Sequence, residues 1–268
     1  MWEEDLEASA RRKVAWLIGA LLAAALAFAG WYWYSSREVT PPAAPLPVAT
    51  APPPASTEPP IAHPLAAAGE GAALPALNDS DPLVHDSLAG LFGREPVEQF
   101  LVPQSIVRHV VVTVDNLPRR KMAVDLRPLK ATPGQTVTVT QGDITTLSPD
   151  NFARYAPLMR VLERTDVRAL ALVYQHLYPL FQQAYEDLGY PGRYFNDRLV
   201  EVIDHLLQTP EPAGPLQLTQ PKVFYEYQDA DLEARSAGQK LLLRMGPANE
   251  RLIKAKLRDF RAEIVKKN

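Results

Sequence analysis

Asp197, Glu201 and His205 recur every four residues, so they share one face of any helix that carries them. Glu201 and His205, on neighbouring turns, have the types and spacing to chelate a metal ion. All three together span about 12 Å along a helix axis, too far for one ion. A structural reading competes with the metal. Asp197 suits the positive N-terminal end of that helix and His205 its C-terminal half, while Glu201 pairs with a cation of a neighbouring helix, Arg244 or Lys240. Ion pairs are the commoner cause of such faces, so Glu201 and Arg244 are expected to be structural partners and no metal ligand is assigned.

Immediately upstream, "YPGRYF" (Tyr190 to Phe195) joins two amphipathic runs. Gly189 ends the first and Asn196 is expected to cap the second. Pro191 stiffens the corner, and Gly192 permits a backbone turn closed to other residues. Tyr174, Tyr178, Tyr185, Tyr190 and Tyr194 have the chemistry of a stacking platform for sugar or peptide, or of rings buried at a core margin. Tyr178 and Tyr185 lie a heptad apart beside an apolar stripe, which fits the core edge. A corner needs one or two anchoring rings, yet Tyr190, Tyr194 and Phe195 supply three, beside Arg193 and Arg198. The surplus marks Tyr190, Arg193 and Tyr194 as partner-binding residues, because tyrosine and arginine most often carry interface energy.

Catalytic motifs are missing from the sequence. There is no Gly-x-Ser-x-Gly elbow, Ser-x-x-Lys pair, His-Glu-x-x-His or phosphate loop, and His63, His85, His109, His176 and His205 are scattered. No cysteine is present, so thiol nucleophiles and disulfides are ruled out. No catalytic residue and no cofactor is implied. Carboxylate pairs for glycoside cleavage need not be close in sequence, so an envelope hydrolase using carboxylate chemistry stands as the alternative to a binding module. Basic residues gather at Arg119-Arg120-Lys121 and in the last helix (Arg251, Lys254, Lys256, Arg258, Arg261, Lys266, Lys267), where a solvated face competes with attraction to anionic lipid or cell-wall polymer. From Asn78 onward 24 acidic residues balance 24 basic ones, which argues against a nucleic-acid partner.

The elements that must position these groups begin after an N-terminal address. Val14 to Tyr34 holds no charge over 21 positions, and as a helix it would be about 31 Å long, the thickness of a bilayer core. Arg11, Arg12 and Lys13 precede it and Trp31 to Tyr34 form an aromatic belt at its far end. A single-pass inner-membrane anchor with a cytoplasmic N-terminus (1–13) and a periplasmic main domain is therefore expected. The competing reading is a signal peptide cleaved after Ala27-Phe28-Ala29. Thr40 to Ala76 carries eleven of the 26 prolines; residues 35–77 read as a disordered proline- and alanine-rich spacer. Residues 78–268 then form one mainly α domain with a minor β element, a hairpin near 136–147 and a short strand near 222–227. Within it, Asp81-Pro82 is an expected N-cap and Ile106 to Leu117 a helix despite its β-branched content. Asp166 to Leu188 is expected to be a helix kinked or split at Pro179, and 229–245 a helix followed by another from Pro247 to Val265.

The blocks "DSDPLVHDSLAGL", "FLVP", "VTVDNLPRR", "YPLFQQAYEDLGYPGRYFNDRLVEVIDHLLQTP" and "SAGQKLLLRMGPANERLIKAKLR" resemble a proteobacterial family of membrane-anchored envelope proteins, domain of unknown function three-thousand-and-fourteen. The resemblance implies the layout of anchor, spacer and envelope domain and brings no activity with it. The expectation is a periplasmic scaffold or binding module. Its partners are the inner-membrane bilayer through residues 14–34 and an envelope protein or cell-wall polymer.

Overall fold

The computed structural model describes residues 60–65 and 73–265. The expected anchor at 14–34 and most of the expected spacer lie outside them. Among the described residues no helix is long and apolar enough to cross a membrane. They form ten α-helices and one small antiparallel sheet. The chain is mainly α.

A 3-10 turn (Leu77–Asp79) leads into α1 (Asp81–Phe92), and Gly93, at φ 88°, turns the chain into α2 (Arg94–Phe100). Asp81 does not cap its own helix. Its carboxylate accepts the backbone N–H groups of Ser105 and Ile106 at 2.7 and 2.8 Å, and so closes the start of α3 (Ile106–Asn116) from across the fold. In α3 the periodic spacing of Ile106, Val107 and Val111 prevails over β propensity, and all three are buried.

Strands β1 (Thr138–Gln141) and β2 (Ile144–Leu147) form the expected hairpin, with Val139 opposite Thr146. The sheet continues through β3 (Gln217–Thr219) to β4 (Glu226–Tyr227), in the order β1-β2-β3-β4. The strand expected from Lys222 shrinks to two residues. Leu218 pairs with Tyr227, while Val223 and Phe224 before it stay 78% and 81% exposed. Short helices α4 (Pro149–Ala153) and α5 (Ala156–Arg164) follow the hairpin.

At the centre lies α6 (Val167–Asp187), opened by Asp166, which accepts the N–H groups of Arg168 and Ala169. It runs through Pro179 as one element, so the proline does not divide it. It packs against α1 and α3, against α7 (Phe195–Leu207) and against the last helix. Its buried face holds Leu177, Leu180, Phe181 and Ala184, widened by Tyr174, Tyr178 and Tyr185, while Leu188 just past its end is exposed. The expected helix from 229 to 245 is two elements. These are α8 (Ala230–Glu233) and α9 (Ala237–Met245), divided where the Ser236 hydroxyl accepts the Gln239 N–H at 3.2 Å. Gly246, at φ 88°, connects α9 to α10 (Pro247–Ile264). Adjacent leucines of α9 serve two cores: Leu242 joins Val202 and Leu206 of α7, and Leu243 joins Leu147, Leu218 and Tyr227 of the sheet.

Candidate functional site

The corner between α6 and α7 is fixed from below by Gln182, one turn before the end of α6. Its Oε1 accepts the Phe195 N–H and the Tyr178 hydroxyl, each at 2.8 Å, and its Nε2 donates to the Arg193 carbonyl at 2.8 Å. Gly189 and Gly192 take φ of 110° and 71°, conformations that favour glycine. Asn196 is not the cap. α7 begins one residue earlier, and the Asn196 side chain is fully buried, accepting the Tyr174 hydroxyl at 3.1 Å and donating to the carbonyls of His63 and Ile264.

Tyr190, Arg193 and Tyr194, singled out from the sequence, line one cleft of about 730 Å³. Tyr190 stacks on Tyr185 at 4.6 Å between centroids, and Tyr194 leans on Tyr178 at 5.3 Å. Each ring is half-buried, with the other part facing the cleft. Arg193 is exposed. Burial pushes the hydroxyls of Tyr174, Tyr178 and Tyr185 up from their ordinary value, which keeps them neutral hydrogen-bonding groups.

The back wall of the cleft is a residue that the sequence reading missed. Asp115 of α3 is buried, with 3% of its side chain exposed. Its carboxylate accepts Arg198 Nε and the Tyr190 hydroxyl, both at 3.2 Å, and pairs closely with Arg119. Arg198 also donates to the Asp115 carbonyl at 3.1 Å, and Arg119 donates to the Tyr190 oxygen at 3.0 Å. One buried carboxylate thus orients two guanidiniums and a phenol, and of these Arg198 and Tyr190 line the cleft.

The chain itself reaches this site. Pro60 and Ile61 line the cleft. The backbone N–H groups of Ala62 and His63 donate to the Asp197 carboxylate at 3.0 and 2.7 Å, while Asn196 reaches the His63 carbonyl at 2.8 Å. This stretch is held through its peptide groups at Ala62 and His63 and through Leu65, which packs against the main core.

The face made of Asp197, Glu201 and His205 therefore divides into three separate duties. Asp197 holds residues 62 and 63. Glu201 bridges to Arg198 of its own helix at 2.9 Å, and His205 Nε2 lies 2.8 Å from the Ser236 hydroxyl. Burial, with Arg198 nearby, holds the His205 imidazole below its ordinary value. Among the described residues no group of three or more potential ligands converges on a metal position. The expected pairing of Glu201 with Arg244 does not form. Arg244 is exposed on the sheet side of α9, its guanidinium 5.9 Å from the Tyr227 ring centre, and Lys240 pairs with Glu233 at 2.6 Å.

The basic residues of α10 are largely structural. Lys254 is buried between Glu250 and Glu211 and donates to the Thr209 carbonyl. Desolvation raises the Glu250 carboxyl above its ordinary value against the pull of Lys254, whereas the Lys254 bond lowers Glu211. Arg261 grips Asp204 through two bonds of 2.6 and 2.8 Å, and Lys256 donates to the Glu163 and Thr165 carbonyls at the C-terminal end of α5.

With this geometry in place, comparison with known proteins gives one positive result. A family model described as protein of unknown function (DUF3014) matches residues 106–261, which contain α3 to α10 up to its last turn. Neither the curated proteins nor the solved structures yield a match.

Proposed function

The chain belongs to the DUF3014 family of proteins of unknown function, and we propose for it a non-enzymatic role as a membrane-anchored binding module of the cell envelope. In this reading residues 14–34 anchor it in the inner membrane, the main domain lies in the periplasm, and the corner cleft receives a protein partner. One observation carries the reading. Tyr190, Arg193 and Tyr194 line a single cleft together, and beside it a peptide stretch is bound through its backbone by Asp197 and Asn196. Half-buried tyrosines give rigid amphipathic contact area, and an adjacent arginine adds charge-assisted hydrogen bonds. The groups left to a partner are the half-buried tyrosine rings and the exposed Arg193, the residue types that most often carry protein-interface energy.

A photo-crosslinking amino acid in place of Arg193 in the full-length chain, activated in intact cells, should capture a discrete protein. Tyr190→Ala and Tyr194→Ala should lower that capture about tenfold or more, the effect of losing one hot-spot side chain. Capture unchanged by both substitutions in the folded fraction would place the partner surface elsewhere.

A further inference from the structure

We propose that the helical body carries a second binding site, for a single aliphatic chain bearing an anionic head. A cavity of about 410 Å³ opens between α1, α2, α5, α9 and α10, within the range of roughly 300–1,000 Å³ usual for small-ligand sites. Every lining side chain is apolar except Thr165, whose hydroxyl donates to the Val161 carbonyl at 2.9 Å. The Thr165 hydroxyl spends its one donor on Val161, so the side-chain walls offer a polar occupant no free donor and burying one there would be poorly compensated. Leu129 and Leu241 line the cavity while 41% and 38% exposed, which places them at its rim.

A polar cleft of about 350 Å³ adjoins the cavity and shares Phe92, Pro96, Phe100, Val161 and Thr165 with it. It carries Arg160 and Arg164, one turn apart on α5, both exposed and neither in an ion pair among the described residues. Glu95 is the single acid in its lining, so the cleft is cationic on balance. Apolar walls beside two available guanidiniums are complementary to a fatty carboxylate or the phosphate of a lipid. The chain fills the cavity, and the head accepts from the arginines. The cavity shares no lining residue with the corner cleft, so the two sites stand or fall separately.

The test uses the full-length chain in lipid nanodiscs, irradiated with a diazirine-tagged dodecanoate, and maps the adducts by mass spectrometry. Adducts should fall on cavity residues of α2, α5 and α9. Octanoate, decanoate and dodecanoate should compete about fourfold better for each added methylene. Arg160→Glu with Arg164→Glu should reduce labelling about tenfold or more. Leu241→Asp, at the exposed rim, should abolish it with the circular dichroism spectrum unchanged. In a second arm a diazirine-tagged lysophosphatidylglycerol, with one acyl chain, replaces the free acid. Adducts at the same residues would identify a bilayer lipid as the source, and adducts from the acid alone a soluble amphiphile. Labelling scattered over the surface, or equal competition by dodecyltrimethylammonium, would overturn the proposal.

Discussion

Asp115 is buried where Arg198 of α7 meets Arg119 and Tyr190 from two turns, so its removal should be felt by the whole network. Asp115→Ala would leave Arg198, only 18% exposed, without its buried counter-charge, and the Tyr190 hydroxyl without its acceptor. Removing one partner of a buried pair costs about 3–5 kcal/mol. Asp115→Asn keeps the shape and one acceptor and should lose less than half as much. Urea unfolding of the full-length variants measures both; a loss under about 1 kcal/mol for Asp115→Ala would show that the network contributes nothing to stability. Arg119, with 53% of its side chain exposed, should matter far less to the fold. At this scale the sequence was half legible. Tyr190, Arg193 and Tyr194 are neighbours in the chain, and their excess over what a corner needs was visible. Asp115 was not, because in "VTVDNL" it reads as the polar face of an amphipathic helix, and its partner Tyr190 is 75 positions away. Nor was Gln182, a residue type without a motif. Glu201 could be read as half of an ion pair, but spacing gave no way to choose Arg198, three residues back, over a cation on another helix.

The elements follow local rules wherever local rules suffice. Periodicity placed α3, α6, α7 and α10, and alternation placed the β1–β2 hairpin. The departures come from groups acting at a distance. Asp81, read as the cap of α1, closes α3 instead, because tertiary packing brings two orphan N–H groups to its carboxylate. β3 is three residues long with no alternation to detect, and it exists because β2 offers it an edge. Ser236 divides what apolar spacing made one helix. The join of α9 to α10 shows the same dependence on packing, and it is testable. Gly246 has φ 88°, and a Cβ there would fall on the Phe152 ring; Gly189 has φ 110° with open space around it. Gly246→Ala combines backbone strain with overpacking and should cost about 3 kcal/mol, while Gly189→Ala carries the strain alone, about 1 kcal/mol. Equal losses for the two would mean that Phe152 yields freely and that the α9–α10 join is not packed as described.

On the proposed arrangement, the whole molecule is a domain tethered to a bilayer, and the structure changes the length of that tether. The expected spacer extends to residue 77, but residues 60–65 lie on the domain: Ala62 and His63 rest on Asp197, and Leu65 packs against the main core. That would leave residues 35–59 for the proposed tether, a stretch whose reach in polyproline II form would be at most about 78 Å. A domain with balanced charge gains little from the membrane field, so its reach is set by that tether and by its anchor. The anchor is the premise to test first. On the proposed topology a reporter that works only outside the cytoplasm, fused after Asn268, should be active, because Arg11, Arg12 and Lys13 favour the cytoplasmic side. The mature chain should also retain Met1 or Trp2 and sediment with membranes. N-terminal sequencing that finds a soluble form beginning near Gly30 would replace the anchor with a cleaved signal peptide. The corner cleft would then belong to a freely diffusing domain, and the tether length would lose its meaning.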